Sequence, residues 1–271
     1  MDILKKIPEP HSKIPESETD YILCLSLDIG EAMMRNGAEV HRVEDTMDRL
    51  CRAYGAVHTE IFAIPTAIFA AIRMEDGSYS SQMRTIDHTA YDLFKVERFN
   101  GISRKACKER PPLGELDEMI KEAKRKKSYP YALIVLGAAI ATGSFAFFFG
   151  GNYKDAIVAA VIGAIICIGE KIPMTRVNGF AKIVMQSFVG GALAMTAVWL
   201  GIGVNADKII MGTIMYSIPG LALGVAARDM LYGDFLAGTL KLIHTVLVAL
   251  MIALGYVLAM LVFGAIGGGV V

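Results

Sequence analysis

Cysteine is scarce in this chain of 271 residues, and badly spaced for chemistry. Only Cys24, Cys51, Cys107 and Cys167 occur, none in a C-x-x-C pair, and Cys167 lies inside an apolar run. Neither a disulfide framework nor a zinc site follows, and four reduced, mostly packed thiols are expected. Net charge is absent as well. The 27 basic and 27 acidic residues cancel, which removes the electrostatic reason to expect a nucleic-acid partner. The first twenty residues, MDILKKIPEPHSKIPESETD, contain no long apolar stretch. No secretory signal is expected there, so insertion into a membrane falls to later segments. His41 and His58 lack a metal-ligand spacing, and no nucleophile lies beside an assembled base. No metal, cofactor or catalytic residue is therefore expected, and the chain reads as no enzyme.

The second half lacks charge most of all. From Tyr129 onward only 12 of the 54 charged residues occur, leaving 42 in the first 128 positions. A charge-rich front at 1–128 and a membrane-embedded back at 129–271 are expected. The back holds five apolar runs, at about 130–149, 155–172, 180–200, 209–225 and 240–263, each near the roughly 20 residues a bilayer requires. Lys124-Arg125-Lys126-Lys127 precedes the first run and marks the cytoplasmic side. The later loops agree: Lys171, Arg176 and Lys182 fall inside, as do Arg228 and Lys241, against Lys154 and Lys208 outside. The expectation is a multi-pass protein of the cell membrane with its N-terminal domain cytoplasmic and its C-terminus outside. An odd number of spans without a visible inverted repeat suggests a transporter that needs a partner protein, a homo-oligomer being the other route. Gly190-Gly191, Gly220 with Gly224, and Gly264 with Gly268 predict close helix packing.

In the front part, proline-rich residues 1–18 lead into an amphipathic helix (Ile22, Leu25, Ile29, Ala32/Met33) that should stop at Arg35-Asn36-Gly37. A second helix starts near Ala38-Glu39, with His41 and Asp45 able to pair one turn apart. Pro65 should divide the β-branched stretch TEIFAIPTAIFAAIRM or lie at a sheet edge, and Glu75-Asp76-Gly77 signals a hairpin. Helical patterning resumes from Asp87 and, after Pro111-Pro112, runs from Leu113 to Lys126. A small cytoplasmic α+β domain ahead of about five transmembrane helices follows.

The candidate site lies in the fourth apolar run. Pro219-Gly220 interrupts a segment otherwise apolar enough to cross a bilayer, and Arg228, Asp229 and Asp234 follow closely. A helix broken inside the membrane beside ionisable groups is a pointer to a transport pathway. Thr213 and Ser217 sit one turn apart ahead of the break, and Glu170 ends the second run as a gate or a topology marker. His244 has two readings, proton sharing with Asp234 or a hydrogen bond at the membrane interface.

Two stretches carry a family resemblance. Gly37–Gly55, GAEVHRVEDTMDRLCRAYG, is similar to the R-V-E-x-T signature of threonine/serine exporters (ThrE type) in Glu39, Arg42, Val43, Glu44 and Thr46. Pro219-Gly220 with Arg228-Asp229, Gly233-Asp234 and Gly238 resembles that family's P-G…R-D-x-x-x-G-D-x-x-x-G block. The resemblance implies a cytoplasmic domain before membrane helices and export of small hydrophilic metabolites, threonine and serine first. It also implies proton coupling and, in split members, a longer chain like this one working with a smaller five-span protein. Export of a dicarboxylate such as succinate is the alternative, for which Arg176, Lys182, Arg228 and Lys241 would matter more. A rival of another class is a membrane-anchored sensor or regulatory module. A hydrolase using the acidic face of Glu39–Asp48 is a third.

Overall fold

The computed structural model describes residues 17–87, 89–126, 129–172 and 178–267. The proline-rich start, Lys127, Arg176 and Gly268 fall outside them. The chain divides into two compact units: residues 1–128 together with 224–241, and residues 129–223 together with 242–271.

The first unit is α+β. Helix α1 (Glu18–Arg35) is capped by Ser17, whose hydroxyl accepts from Asp20 N–H, and it ends before Gly37, where φ is 85°. Its apolar positions predict one buried stripe, but the helix is buried almost all round, with Leu23, Leu27, Ile29 and Met33 fully enclosed. The reason is its place: α2 (Val40–Ala53), the sheet, α3 (Leu93–Glu109) and α4 (Leu113–Arg125) all pack against it. A helix surrounded in this way has little need of a polar face.

The sheet is an antiparallel meander, β1 (Ala56–Ile64), β2 (Ala67–Met74) and β3 (Tyr79–Thr85), in that order. Pro65-Thr66 forms the first turn, so proline, which has no N–H for a ladder, sits between strands. Ile68, Ala70 and Ile72 face the core, while the cross-strand row Phe62, Phe69 and Met83 stays exposed. Helix α3 begins at Leu93, later than the periodicity from Asp87 suggests. Asp92 caps it by accepting from Lys95 N–H at 3.2 Å. Just ahead of it, Ala90 N–H bonds Arg35 O at 2.7 Å and Asp92 N–H bonds Asn36 O at 3.1 Å, which ties the chain back to the end of α1. The i, i+4 pair of α2 is also corrected: Asp45 binds Arg49 at 2.8 Å, and His41 stacks elsewhere.

The second unit is helical: α5 (Tyr131–Phe148), α6 (Tyr153–Glu170), α7 (Gly179–Trp199), α8 (Ala206–Ser217) and the later part of α10. Helices α9 (Gly220–Leu231) and α10 (Phe235–Gly267) each contribute residues to both units. Asp155 is fully buried at the start of α6, where it completes a capping box with Asn152. The same carboxylate accepts from Val204 N–H at 2.7 Å, Asn205 N–H at 3.1 Å and Asn205 Nδ2 at 2.8 Å. At the other end of α6, Tyr131 O–H donates to Cys167 O at 2.9 Å and Tyr216 O–H to Glu170 at 3.0 Å. Helices α6 and α8 thus run parallel, and α5 antiparallel to both.

Among the described residues α5, α7 and α10 are long and apolar enough to cross a membrane, and α8 with α9 adds a fourth if the bent pair is one span. Helix α6 is as long as α5 but carries Lys154, Asp155 and Glu170. The chain is a multi-span α-helical membrane protein with an N-terminal α+β domain; five spans are expected from sequence, and among the described residues three or four are long and apolar enough.

Candidate functional site

The start of an α-helix leaves its first N–H groups without intrahelical partners. In α2 the N-cap residue is Glu39, but its side chain does not cap the helix. The acceptor comes from 189 residues away, because Asp229 Oδ1 takes the Val40 N–H at 3.0 Å. Lys241 Nζ donates to Asp229 Oδ2 at 2.7 Å and to Ala38 O at 3.2 Å. Asp229 is 0 % exposed and Lys241 8 % exposed. The carboxylate is therefore held both by a neighbouring ammonium and by the positive end of a helix. Beside this buried pair, Arg228 binds Glu39 at the surface, Arg42 approaches Glu39 at 3.6 Å, and the His41 ring stacks on Tyr232 with centroids 5.3 Å apart.

The glycines of the second motif have steric reasons. Gly233 turns the chain at φ 99°, which lets Asp234 N–H reach Asp229 O at 2.9 Å. A Cβ on Gly238 would fall 2.9 Å from Ala226 O and 3.0 Å from Met230 N, so α10 starts against α9 only without a side chain there. Ala237 joins the core of the α+β unit.

The carboxyls form a neighbourhood. Glu44 accepts from Ala63 N–H at 2.8 Å, and burial, with Asp234 and Asp229 nearby, raises its pKa despite that bond. Asp234 Oδ2 is shielded from solvent and has no hydrogen-bond partner among the described residues. Thr46 is buried within α2. Because Glu44 keeps its proton to higher pH when folded, the native state binds more protons between the ordinary glutamate range and the raised value. Stability falls as pH rises through that window and is level above it. Glu44→Gln keeps an acceptor for Ala63 and should flatten the fall; thermal melts at intervals between about pH 4 and 7 check this. Identical slopes for both proteins would remove Glu44 from the titration.

The remaining predicted residues lie in the second unit or at its break. Helix α8 ends at Ser217, and α9 resumes at Gly220 with a bend of 49°. Pro219 has no N–H to give Met215 O, and Gly220 N–H turns back to Ile218 O at 2.8 Å. Ser217 is half-buried at the break. Thr213 is fully buried; its hydroxyl donates to Ile210 O at 2.9 Å and accepts from Tyr256 O–H at 3.3 Å. Glu170 takes the Tyr216 hydroxyl, while Lys182 Nζ donates to the Glu170 carbonyl at 2.6 Å. His244 is exposed, its ring 5.9 Å from Phe180.

The structure thus joins Glu39, Arg42, Glu44, Arg228, Asp229 and Asp234 in one cluster. The tyrosines Tyr216 and Tyr256 and the pairing role of Lys241 escape sequence reasoning. Lys241 had a usable signal, an ionisable group just inside a long apolar run, which calls for a counter-charge. Among the described residues no group of three or more His, Cys, Asp or Glu could hold a metal.

Comparison with known proteins agrees with this geometry. Residues 25–263 match the ThrE family model, described as "Putative threonine/serine exporter". The chain is 21% identical over 260 residues to a protein named threonine/serine exporter from Corynebacterium glutamicum. That alignment covers 91% of this chain and 53% of the relative, so the chain spans about half the relative's length. No solved structure matches the chain. With nearly its whole length matched, including both halves of the cluster around Asp229, the chain belongs to the ThrE family of threonine/serine exporters.

Proposed function

We propose that the chain is one subunit of a membrane exporter for small hydrophilic metabolites, with threonine and serine as its first substrates and proton movement as its driving force. The observation that carries this reading is the Pro219-Gly220 break running, within one short helix, into Arg228, which binds Glu39, and Asp229, which caps α2. Many transporters build their sites at discontinuous spans, and alternation calls for a group that can change partners between two states. The Arg228–Glu39 pair is suited to a zwitterion, whose carboxylate can replace Glu39 and whose ammonium can replace Arg228. Asp234, with a shielded and unpaired oxygen beside Glu44, is the better proton carrier; Asp229 is the lock.

Five crossings fit this reading. Helix α6 alternates in direction with α5 and lies parallel to α8, as a second span does, and its charges sit near its ends. By charge, Lys171 and Lys182 then mark the cytoplasmic side, which puts the C-terminus outside. A smaller five-span partner protein completes the proposed exporter.

Efflux of labelled threonine, serine and succinate from vesicles, with and without a co-reconstituted five-span partner, tests the proposal. Export of threonine or serine is expected to disappear in Asp234→Asn and Arg228→Gln and to fall sharply in Pro219→Ala, with all three proteins inserted at wild-type levels. Unchanged flux in all three would refute the pathway. Succinate as the sole exported solute would transfer the site to a dicarboxylate.

A further inference from the structure

We infer that the α+β domain holds a second ligand site, a cleft that binds a small polycarboxylate. The cleft has a volume of about 540 Å³ and lies among α1, β3, α3 and α4, all within one compact unit. That size falls within the roughly 300–1,000 Å³ of ordinary metabolite pockets. Arg35, Arg84, Lys95 and Lys124 line it with two acids, buried Glu31 and exposed Asp87, which stands 3.8 Å from Arg35, and with Phe99 as an apolar wall.

The charges are organised as a ladder that is only partly satisfied. Glu31 Oε1 meets Arg35 at 3.0 Å, and its other oxygen stands 3.9 Å from Arg84. Asp28 lies 3.9 Å from Arg84 and 3.5 Å from Lys124. Separations near 4 Å are ion pairs without hydrogen bonds, so these carboxylates hold the guanidiniums in place without saturating their donors. The Nε groups of Arg35 and Arg84 are shielded from solvent and lack an acceptor. Lys95, half-buried on α3, has no acidic partner among the described residues. A buried donor left unmade is costly, and guanidinium forks match carboxylate geometry. The four cations outnumber Glu31, Asp87 and the flanking Asp28 by one, their free donors are spread over several positions, and one wall is apolar. A di- or tricarboxylate of metabolite size complements all three features, and a neutral zwitterion does not.

This site is separate from the α2–Asp229 cluster, and its test needs no transport. Titration calorimetry on the full-length protein in detergent would use citrate, succinate, inorganic phosphate and threonine. Saturable citrate or succinate binding is expected, weakened by salt. Lys95→Gln and Arg35→Gln should each reduce affinity by about tenfold, the loss of one charge-assisted hydrogen bond. Lys95 is half-buried at the rim, so its variant should keep the wild-type melting temperature and report binding alone. Absence of saturable binding, or affinity unchanged in both variants, overturns the site. Phosphate binding more tightly than either carboxylate, or threonine binding alone, overturns the ligand class.

Discussion

Removing the ammonium at position 241 is expected to unfasten the α+β domain from the 224–241 segment. Lys241→Met leaves Asp229 fully buried with only the α2 N-terminus to neutralise it, and breaking one side of a buried pair costs about 3–5 kcal/mol. The melting temperature should fall by about 10 °C. Asp229→Asn costs the same kind of penalty from the other side, since Lys241 is then buried without its counter-ion, although asparagine still offers Val40 an acceptor. The double variant Asp229→Asn/Lys241→Met removes both charges and keeps the cap. It should recover more than half of either single loss, because apolar replacement of a buried pair is often neutral. Additive losses would show that the two groups stabilise the fold separately. Export should fail in both single variants, and the double variant separates lost stability from a lost switch: stable but silent means that the charge itself is needed.

A second large effect is expected at Gly212, where two substitutions of the same type should have opposite signs. Glycine to alanine inside a helix normally stabilises by about 0.5–1 kcal/mol. At Gly224 a Cβ meets nothing within 4 Å among the described residues, and the gain should appear. At Gly212 a Cβ would fall 2.6 Å from both Ala146 Cβ and the Thr142 carbonyl, and 2.8 Å from Ala146 N. Two of those three atoms are backbone, so α5 and α8 must separate. Overpacking of this kind costs about 1–3 kcal/mol, enough to reverse the sign. Thermal unfolding of Gly212→Ala and Gly224→Ala in one detergent decides it; equal shifts would mean that the helices yield.

Sequence reading reached the elements whose causes are local. Gly37 ends a helix because it alone takes positive φ easily, Pro65 parts two strands for want of an N–H, and Pro219 breaks a span for the same reason. It went astray where distant residues decide. The burial of α1 on every side depends on four neighbouring elements, and the late start of α3 depends on bonds from Ala90 and Asp92 back to the end of α1. Asp229 is the instructive case. Read along the chain it is a charge at the mouth of a span, but its partners are Val40 and Lys241, and no periodicity links those positions. The two motifs of the family resemblance are the sites that meet, so the cluster was present in the sequence as two unconnected halves.

The hydrogen-bond knot around Asp155 bears on how the helical unit can move. One enclosed carboxylate fastens the beginning of α6 to Val204 and Asn205, just before α8, through three bonds from those two residues. Amide exchange at Val204 and Asn205 should therefore be slow for a connecting loop, and inserted residues there should be poorly tolerated. With that corner clamped, hinge motion falls to the opposite extremity, where Glu170 is held by the Tyr216 hydroxyl and the Lys182 ammonium and the proline break gives the polypeptide its slack.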